Sequence, residues 1–331
     1  MGAGTVRWGI LGTANIARAQ FLPALAASGE GEAVAVAGRD LSRTEEYAQR
    51  HGAGRALQGY QALIDAGDVD AIYIALPNTL HAEWTIAALR AGKVVLCEKP
   101  LCVSVSETER VLQVVEETGG YLWEAFVFPF HDQMRRTGEI LAAGDIGTVP
   151  EIQSDFHFFV RNRGNIRLRP ELAGGALNDV GCYPVRLAQL TFADPASAGT
   201  VTVKWAPEGV DEEMQGIVTY GTDDRLLFSC GLQRPYDTYT RLLGNEGEIR
   251  LSNPYHPGPS DTLEIHRSGR VTIEHPTPDL PSFTRIVQHI HAVIHGEEAP
   301  RHLATDDSLA TARTLEMLHR AAGSPPVEPV Q

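Results

Sequence analysis

Between residues 5 and 120 the chain alternates continuous apolar runs with helical ones, and nothing else in it limits the fold so strongly. The apolar runs are Val6–Leu11, Ala33–Ala37, Asp70–Leu76, Val94–Cys97 and Tyr121–Phe126. Strands that are apolar throughout must be buried on both faces, as in a parallel sheet between two helical layers. Helices are predicted between them at about 16–28, 42–51, 60–65, 80–91 and 105–117. Ser42 with Glu45 reads as a capping box, and Gly92 as a helix stop.

Near residue 122 the pattern changes. The strands lengthen and alternate apolar with polar: Glu151–Val160, Gly199–Trp205, Met214–Tyr220, Arg225–Cys230, Thr238–Leu243, Gly247–Ser252, Thr262–His266 and Val271–His275. Turn signals such as Asn245-Glu246-Gly247 and Ser268-Gly269 join several of them. Helices are expected at about 133–143, 176–190, 283–296 and 306–322. The fold class is therefore α/β: an N-terminal doubly wound parallel sheet of Rossmann type, then a C-terminal α+β domain with a large, mostly antiparallel open sheet. A chain of 331 residues suits two domains, divided here as 1–121 and 122–331.

Composition narrows the class of function. A formal net charge of -14 disfavours a general nucleic-acid binder. No apolar run approaches membrane-spanning length, and the N-terminal apolar residues already form a strand rather than a signal peptide. The cysteines at 97, 102, 182 and 230 match no zinc or disulfide spacing and read as reduced thiols of a cytoplasmic protein. The tail Ser324–Pro329 is proline-rich and reads as frayed.

The turn after the first strand, Gly12-Thr13-Ala14-Asn15-Ile16-Ala17, opens a helix. Small residues there let backbone amides at a helix N-terminus reach a pyrophosphate. Two of the three fingerprint glycines are alanine, so an ordinary tight turn stays open. Domain 1–121 is accordingly read as dinucleotide-binding, through Gly12, Thr13, Ala14, Asn15 and Ile16. The second strand ends in Gly38-Arg39-Asp40. An acidic residue in the first of these positions would hold a ribose 2′-hydroxyl, whereas a guanidinium suits a 2′-phosphate. Arg39, with Arg43 as a second contact, points to NADP(H). A solvated Arg39 paired with Asp40 is the other reading, and NAD(H) stays open. Leu76, Pro77, Asn78 and His81 follow the strand at 70–76, where ribose and nicotinamide should pass. His81 reads as a capping or packing residue rather than a catalytic one.

Glu98-Lys99-Pro100 stops the strand Val94–Cys97 and places a carboxylate and an ammonium at the sheet edge where ligands bind. Glu98 and Lys99 join the cofactor set. Hydride transfer to a carbonyl leaves an alkoxide that needs a proton. A tyrosine can give it, but its ordinary pKa near 10 requires a nearby cation. Asp179 and Tyr183 lie four apart on a predicted helix, one face of which they share. Lys99, Asp179 and Tyr183 form the candidate catalytic and substrate-binding set; a capping aspartate and a half-buried tyrosine are the alternative. The loop from Arg161 to Arg169 could hold sugar hydroxyls or phosphates through Arg163 and Asn165, or be a solvated connection. His289, His291 and His295 lack an acidic partner and read as a surface helix, so no metal is assigned.

Four segments in order resemble the Gfo/Idh/MocA oxidoreductases: Gly9–Ala17, Ala75–His81, Ala91–Pro100 and Gly174–Tyr183. The resemblance covers almost the whole chain. It implies a Rossmann domain followed by an open-sheet domain whose face serves oligomerisation, as a dimer or tetramer. It implies that Lys99 contacts substrate and cofactor, and that Asp179 and residue 183 serve the proton step. Tyrosine rather than histidine at 183 is similar to dihydrodiol dehydrogenase, NADP-dependent xylose dehydrogenase and the 3-ketoreductases of deoxysugar biosynthesis. The segment 165–184 is most similar to the xylose and dihydrodiol group. That group usually has an arginine before its Phe-His pair, and Phe128-Pro129-Phe130-His131 lacks it, which keeps the ketoreductase reading open. The expected function is an NADP(H)-dependent oxidoreductase of a sugar-like hydroxyl or carbonyl, with Tyr183 as acid/base and Lys99 assisting. A nucleotide-linked ketosugar reductase, a redox-neutral NAD-using enzyme and a non-catalytic dinucleotide sensor are the alternatives. The expected partners are a small-molecule substrate and further copies of the chain, with no nucleic acid or membrane.

Overall fold

The computed structural model describes residues 4–323, so the tail at 324–329 lies outside the described residues. The chain forms two compact units. The first holds the chain up to Cys102, Ser106–Val127 and Leu280–Thr305; the second holds Val103–Val105, Phe128–Asp279 and the chain from Asp306. A single cut between residues 121 and 122 does not describe this division, because the chain returns to the first unit near its end.

In the first unit the strands are β1 (Val6–Leu11), β2 (Gly31–Gly38), β3 (Arg55–Gln58), β4 (Ala71–Ile74), β5 (Val94–Cys97) and β6 (Leu122–Glu124). They form one parallel sheet in the order β3-β2-β1-β4-β5-β6. The sequence reading contains β1, β2, β4, β5 and β6 but not β3, a short edge strand with exposed polar residues at both ends. On one side Phe21 stacks on Tyr73 at 4.2 Å and meets Trp8 edge-on at 5.1 Å. Each such pair adds about 0.5–1.5 kcal/mol beyond area burial. Leu11, Ile72, Ile74, Val95 and Cys97 pack with Leu63, Ala88 and Val111 in a second buried cluster.

Two local expectations are corrected. Asp40, not Ser42, caps the helix Leu41–His51: it is extended at φ −110° and its carboxylate accepts the Arg43 N–H at 3.0 Å. The chain is already helical at Leu41, so Ser42 falls inside the first turn. The helix Thr284–Ile294 is not a surface helix either. Ile286, Val287, Ile290 and His291 are buried, and Trp8 Nε1 donates to His291 Nε2 at 2.9 Å. His289 accepts the Arg301 N–H through Nε2 at 3.0 Å and lies 2.8 Å from Glu298 through Nδ1.

Burial, with the charge of His295 second, pushes His291 down to about 4. Its folded-state value is depressed, so its contribution is present above the unfolded value near 6.5 and is lost as the pH falls towards 4. Protonation would also set two donors against each other at Trp8. Denaturant titrations should show stability falling across that window, by at most about 3 kcal/mol from this residue. His291→Met should flatten the slope; an unchanged slope would clear His291 of the effect.

The second unit contains β7 (Glu151–Phe159), β8 (Ala196–Trp205), β9 (Asp211–Tyr220), β10 (Asp224–Gly231), β11 (Gln233–Leu243), β12 (Gly247–Leu251), β13 (Leu263–Arg267) and β14 (Arg270–Glu274). They form one sheet in the order β14-β13-β12-β11-β7-β10-β9-β8. Only β7 and β10 pair in parallel; the other neighbours are antiparallel. Ser268 and Gly269 both have positive φ, 51° and 74°, as a two-residue turn between twisted strands requires. The helix Cys182–Thr191 packs on β7 and β10, and the helix Asp306–Ala321 packs on it and on β8. Elsewhere on the sheet Ile217 is 46% and Ile273 57% exposed.

Candidate active site

In the first unit the strand order reverses between β1 and β4, and ligands of open α/β sheets bind at the carboxyl ends beside such a reversal. Gly12 sits there with φ +99°, its N–H given to Ala37 O at 2.9 Å. A Cβ at this position would stand 2.7 Å from Ala75 O. The missing side chain therefore leaves a cradle in front of the helix that starts at Asn15 and passes through a widened turn at Ala17–Phe21. Such turns recur at functional sites. Thr13, Ala14 and Ile16 are partly exposed. The exposed Asn15 accepts from Arg18 Nε at 3.1 Å, and Ala14 O accepts from Tyr47 Oη at 3.3 Å. This cradle fits a pyrophosphate. Gly12→Ala should weaken NADPH binding at least about tenfold, since both φ and the contact with Ala75 oppose it. Fluorescence titration reads this, and affinity within twofold of the parent would move the pyrophosphate elsewhere.

Past β2, Arg39 and Arg43 are exposed, and among the described residues no side-chain hydrogen bond or ion pair engages either guanidinium. Asp40 is turned to its own helix. Gly38 packs against Thr44, whose Oγ1 would be 2.2 Å from a Cβ there. The far end of β2 thus presents two guanidinium groups, with the Asp40 carboxylate engaged through one oxygen by its own helix.

Beyond β4, Leu76 is buried while Pro77 and Asn78 are partly exposed. His81 is fully buried, with Nδ1 2.8 Å from Pro100 O and Nε2 2.9 Å from Leu76 O. It ties the segment after β4 to the segment after β5, and burial pushes its pKa down. Glu98 accepts from Tyr73 Oη, and Glu124 accepts the Leu101 N–H at 2.8 Å. The half-buried Lys99 is thus carried on a turn held on both sides. Tyr73 and Glu124 were absent from the sequence reading, in which each is just one more residue of a buried strand.

In the second unit Asp179 lies in a widened turn, Leu177–Gly181, that runs directly into the helix Cys182–Thr191 carrying Tyr183. Gly174 and Gly175 lead into it; a Cβ on Gly174 would stand 2.4 Å from Arg167 O. Asp179 Oδ2 accepts from Arg167 Nε at 2.6 Å, and the Arg167 guanidinium lies 5.5 Å over the Phe158 ring. Tyr183 is 4% exposed. Its ring lies 5.0 Å from Tyr255, 5.2 Å from Phe156, 5.7 Å from His256 and 6.2 Å from Phe128. Its hydroxyl makes a long contact of 3.5 Å with His256 Nε2. Tyr255 behind it is fixed by Ser154, which also meets Thr240 at 2.6 Å. The phenol is therefore presented from an aromatic bed with an imidazole at its tip, a setting suited to a proton donor.

The arginine loop is more committed than its composition implies. Arg163 pairs with Glu208 and, at 3.0 Å, with Glu212; Arg169 pairs with Glu171 at 2.7 Å; Arg167 holds Asp179. Asn165 accepts the Arg167 N–H at 3.0 Å and caps a short helical turn. Arg167 could have been singled out by its place in that loop. His256, Phe156 and Tyr255 could not, since they come from strands or loops far along the chain.

Known proteins match the chain over most of its length. Residues 6–126 match the family model described as "Oxidoreductase family, NAD-binding Rossmann fold", and residues 134–250 match the "GFO/IDH/MocA C-terminal domain". The chain is similar to D-xylose 1-dehydrogenase (NADP(+)) 2 of Haloferax volcanii, with 35% identity over 95% of this chain and 97% of that protein. It is similar to dTDP-3,4-didehydro-2,6-dideoxy-alpha-D-glucose 3-reductase of Streptomyces violaceoruber, with 39% identity over 79% of this chain and 78% of that one. Among solved structures, KijD10, a 3-ketoreductase from Actinomadura kijaniata in complex with NADP and TDP-benzene, superposes with a TM-score of 0.86. Its identity is 30%, covering 95% of this chain and 96% of that one.

Proposed function

The chain belongs to the Gfo/Idh/MocA oxidoreductase family, and from that premise we propose that it is an NADP(H)-dependent enzyme acting on a hydroxyl or carbonyl of a sugar-like substrate. The observation that carries the reading is Tyr183, a buried phenol bedded in aromatic rings with its hydroxyl turned to a polar neighbour. Bound NADPH would supply the hydride in reduction, and NADP+ would take it in oxidation. Gly12, Thr13, Ala14, Asn15 and Ile16 would hold its pyrophosphate, Arg39 and Arg43 its 2′-phosphate, and the segments Leu76–His81 and Glu98–Lys99 its ribose and nicotinamide half. Tyr183 gives a proton to the alkoxide in reduction and takes one in oxidation. Lys99 assists by holding a positive charge, which lowers the cost of ionising the phenol. Asp179, oriented by Arg167, accepts from a substrate hydroxyl.

The bound state of the arginine loop favours an uncharged sugar over a nucleotide-linked ketosugar. Three of the loop's four arginines, Arg163, Arg167 and Arg169, already face carboxylates, so beyond the exposed Arg161 the loop offers a diphosphate little uncommitted charge. Arg163 and Asn165 then serve by shaping the loop around a neutral substrate. A coupled absorbance screen of NADPH and NADP+ turnover separates the two. Activity on free aldoses supports the first reading, and activity confined to nucleotide-linked ketosugars overturns it. We further infer a homo-oligomer, dimer or tetramer, formed through the sheet of the second unit, where Ile217 and Ile273 are exposed; light scattering after size exclusion tests it. All four cysteines are buried and free, which suits the cytoplasm, and among the described residues no helix is long and apolar enough to cross a membrane.

A further inference from the structure

The helical run that carries Asp179 and Tyr183 begins without a cap of its own. Its leading amides need acceptors, and its N-cap residue, Ala176, has no side chain to offer one. The acceptor comes from far along the chain. Asp211, the first residue of β9, is 3% exposed, and its Oδ2 accepts the Leu177 N–H at 2.6 Å. Gly175 makes room for it: at φ +110°, a Cβ there would stand 2.0 Å from Asp211 Oδ1. Two other contacts pin the same turn. Asn178 Nδ2 donates to Ala173 O at 3.1 Å, and its Oδ1 lies 2.9 Å from His319 Nε2.

A widened turn follows at once, closed by the Cys182 N–H on Leu177 O. Within a helix such a turn can move along the chain, since neighbouring turns can exchange one hydrogen-bond pattern for the other. Sliding the run by one residue would rotate Asp179 and Tyr183 by roughly 100° about the axis. An acceptor bolted to a strand removes that freedom. We propose that Asp211 is a positioning residue for the proposed proton step, its carboxyl group fixing where the helix begins and thereby where Tyr183 and Asp179 point. This rests on the role given to Tyr183 above. Burial pushes the Asp211 carboxyl up to about 7, and either form, ionised or neutral, keeps an oxygen for the Leu177 amide.

Asp211→Leu removes the acceptor at similar volume, and Asp211→Asn keeps one oxygen. The holo-protein with NADPH is followed by steady-state kinetics, NADPH titration and hydrogen exchange of peptides covering 174–182. In Asp211→Leu we expect kcat to fall at least about tenfold and exchange in that segment to rise about tenfold. NADPH affinity and exchange in the first unit should stay within twofold. Asp211→Asn should recover kcat to within about threefold of the parent. Unchanged exchange at 174–182, or raised exchange with unchanged kcat, overturns the proposal. So does a uniform loss of NADPH binding and turnover that the asparagine does not rescue, which marks a merely structural part. If Asp211→Leu does not fold, Gly175→Ala displaces the same carboxyl and is judged by the same readouts. Tyr183→Phe, run alongside, keeps the two claims apart. Normal turnover in that variant defeats the acid/base reading, whereas unaltered exchange in the Asp211 variant defeats the cap.

Discussion

Tyr183→Phe should lose roughly 10²–10⁴ in kcat, the range that a positioned general acid or base contributes. It should bind NADPH as tightly as the parent. The phenol is a small part of its own surroundings: removing one oxygen leaves the ring against Phe128, Phe156 and Tyr255 and breaks the long contact to His256. The fold, and the dinucleotide end in the other unit, should therefore be untouched. A drop in kcat with unchanged substrate KM marks an interaction made in the transition state alone. Single-turnover absorbance at the NADPH band and fluorescence titration measure the two quantities separately. Normal turnover would show that the proton comes from elsewhere, with His256 the first residue to examine.

Arg39→Ala carries the second large effect. A guanidinium paired with a phosphate makes charge-assisted bonds worth about 1.5–3 kcal/mol, hence roughly 10- to 150-fold in the NADP+ dissociation constant. NAD+ lacks the 2′-phosphate and should bind as before, so the ratio of the two constants is the readout. Arg39 gives up no ion pair within the protein on binding, because among the described residues no side-chain hydrogen bond or ion pair engages its guanidinium. Asp40 accepts the Arg43 N–H at 3.0 Å through one oxygen only, so its other oxygen keeps NAD+ binding open in this variant. Should Arg39→Ala weaken both dinucleotides equally, the arginine would be a general electrostatic contact, and the cofactor preference would need another origin.

Most of the fold was legible because it is written in short-range patterns. A buried parallel strand must be apolar throughout, so β1, β2, β4, β5 and β6 stood out, while the four-residue edge strand β3 did not. The alternation that marks a sheet with one covered face located all eight strands of the second unit, although β11 starts five residues before the expected Thr238. Gly12 was readable because only glycine tolerates its φ and its closeness to Ala75. Errors arose where two signals competed. Ser42 and Asp40 both suit a cap, and the backbone of the preceding strand chose Asp40. Three histidines on one helix resemble a solvated face, yet His291 faces inward to Trp8, nearly the whole chain away in sequence.

The sequence by itself determined the strand–helix alternation, the glycine cradle, the placing of Lys99 past a strand end and that of Asp179 and Tyr183 on one helical run. Those features depend on residues a few positions apart. Only the tertiary structure decided which groups those side chains meet: Arg167 for Asp179, the rings of Phe156 and Tyr255 for Tyr183, Tyr73 for Glu98, and Asp211 for the start of the helix. Such pairings join segments up to 72 residues apart, as with Tyr183 and Tyr255, and no local periodicity records them. They exist because a buried amide, carboxylate or phenol must find its partner wherever the packed chain brings one.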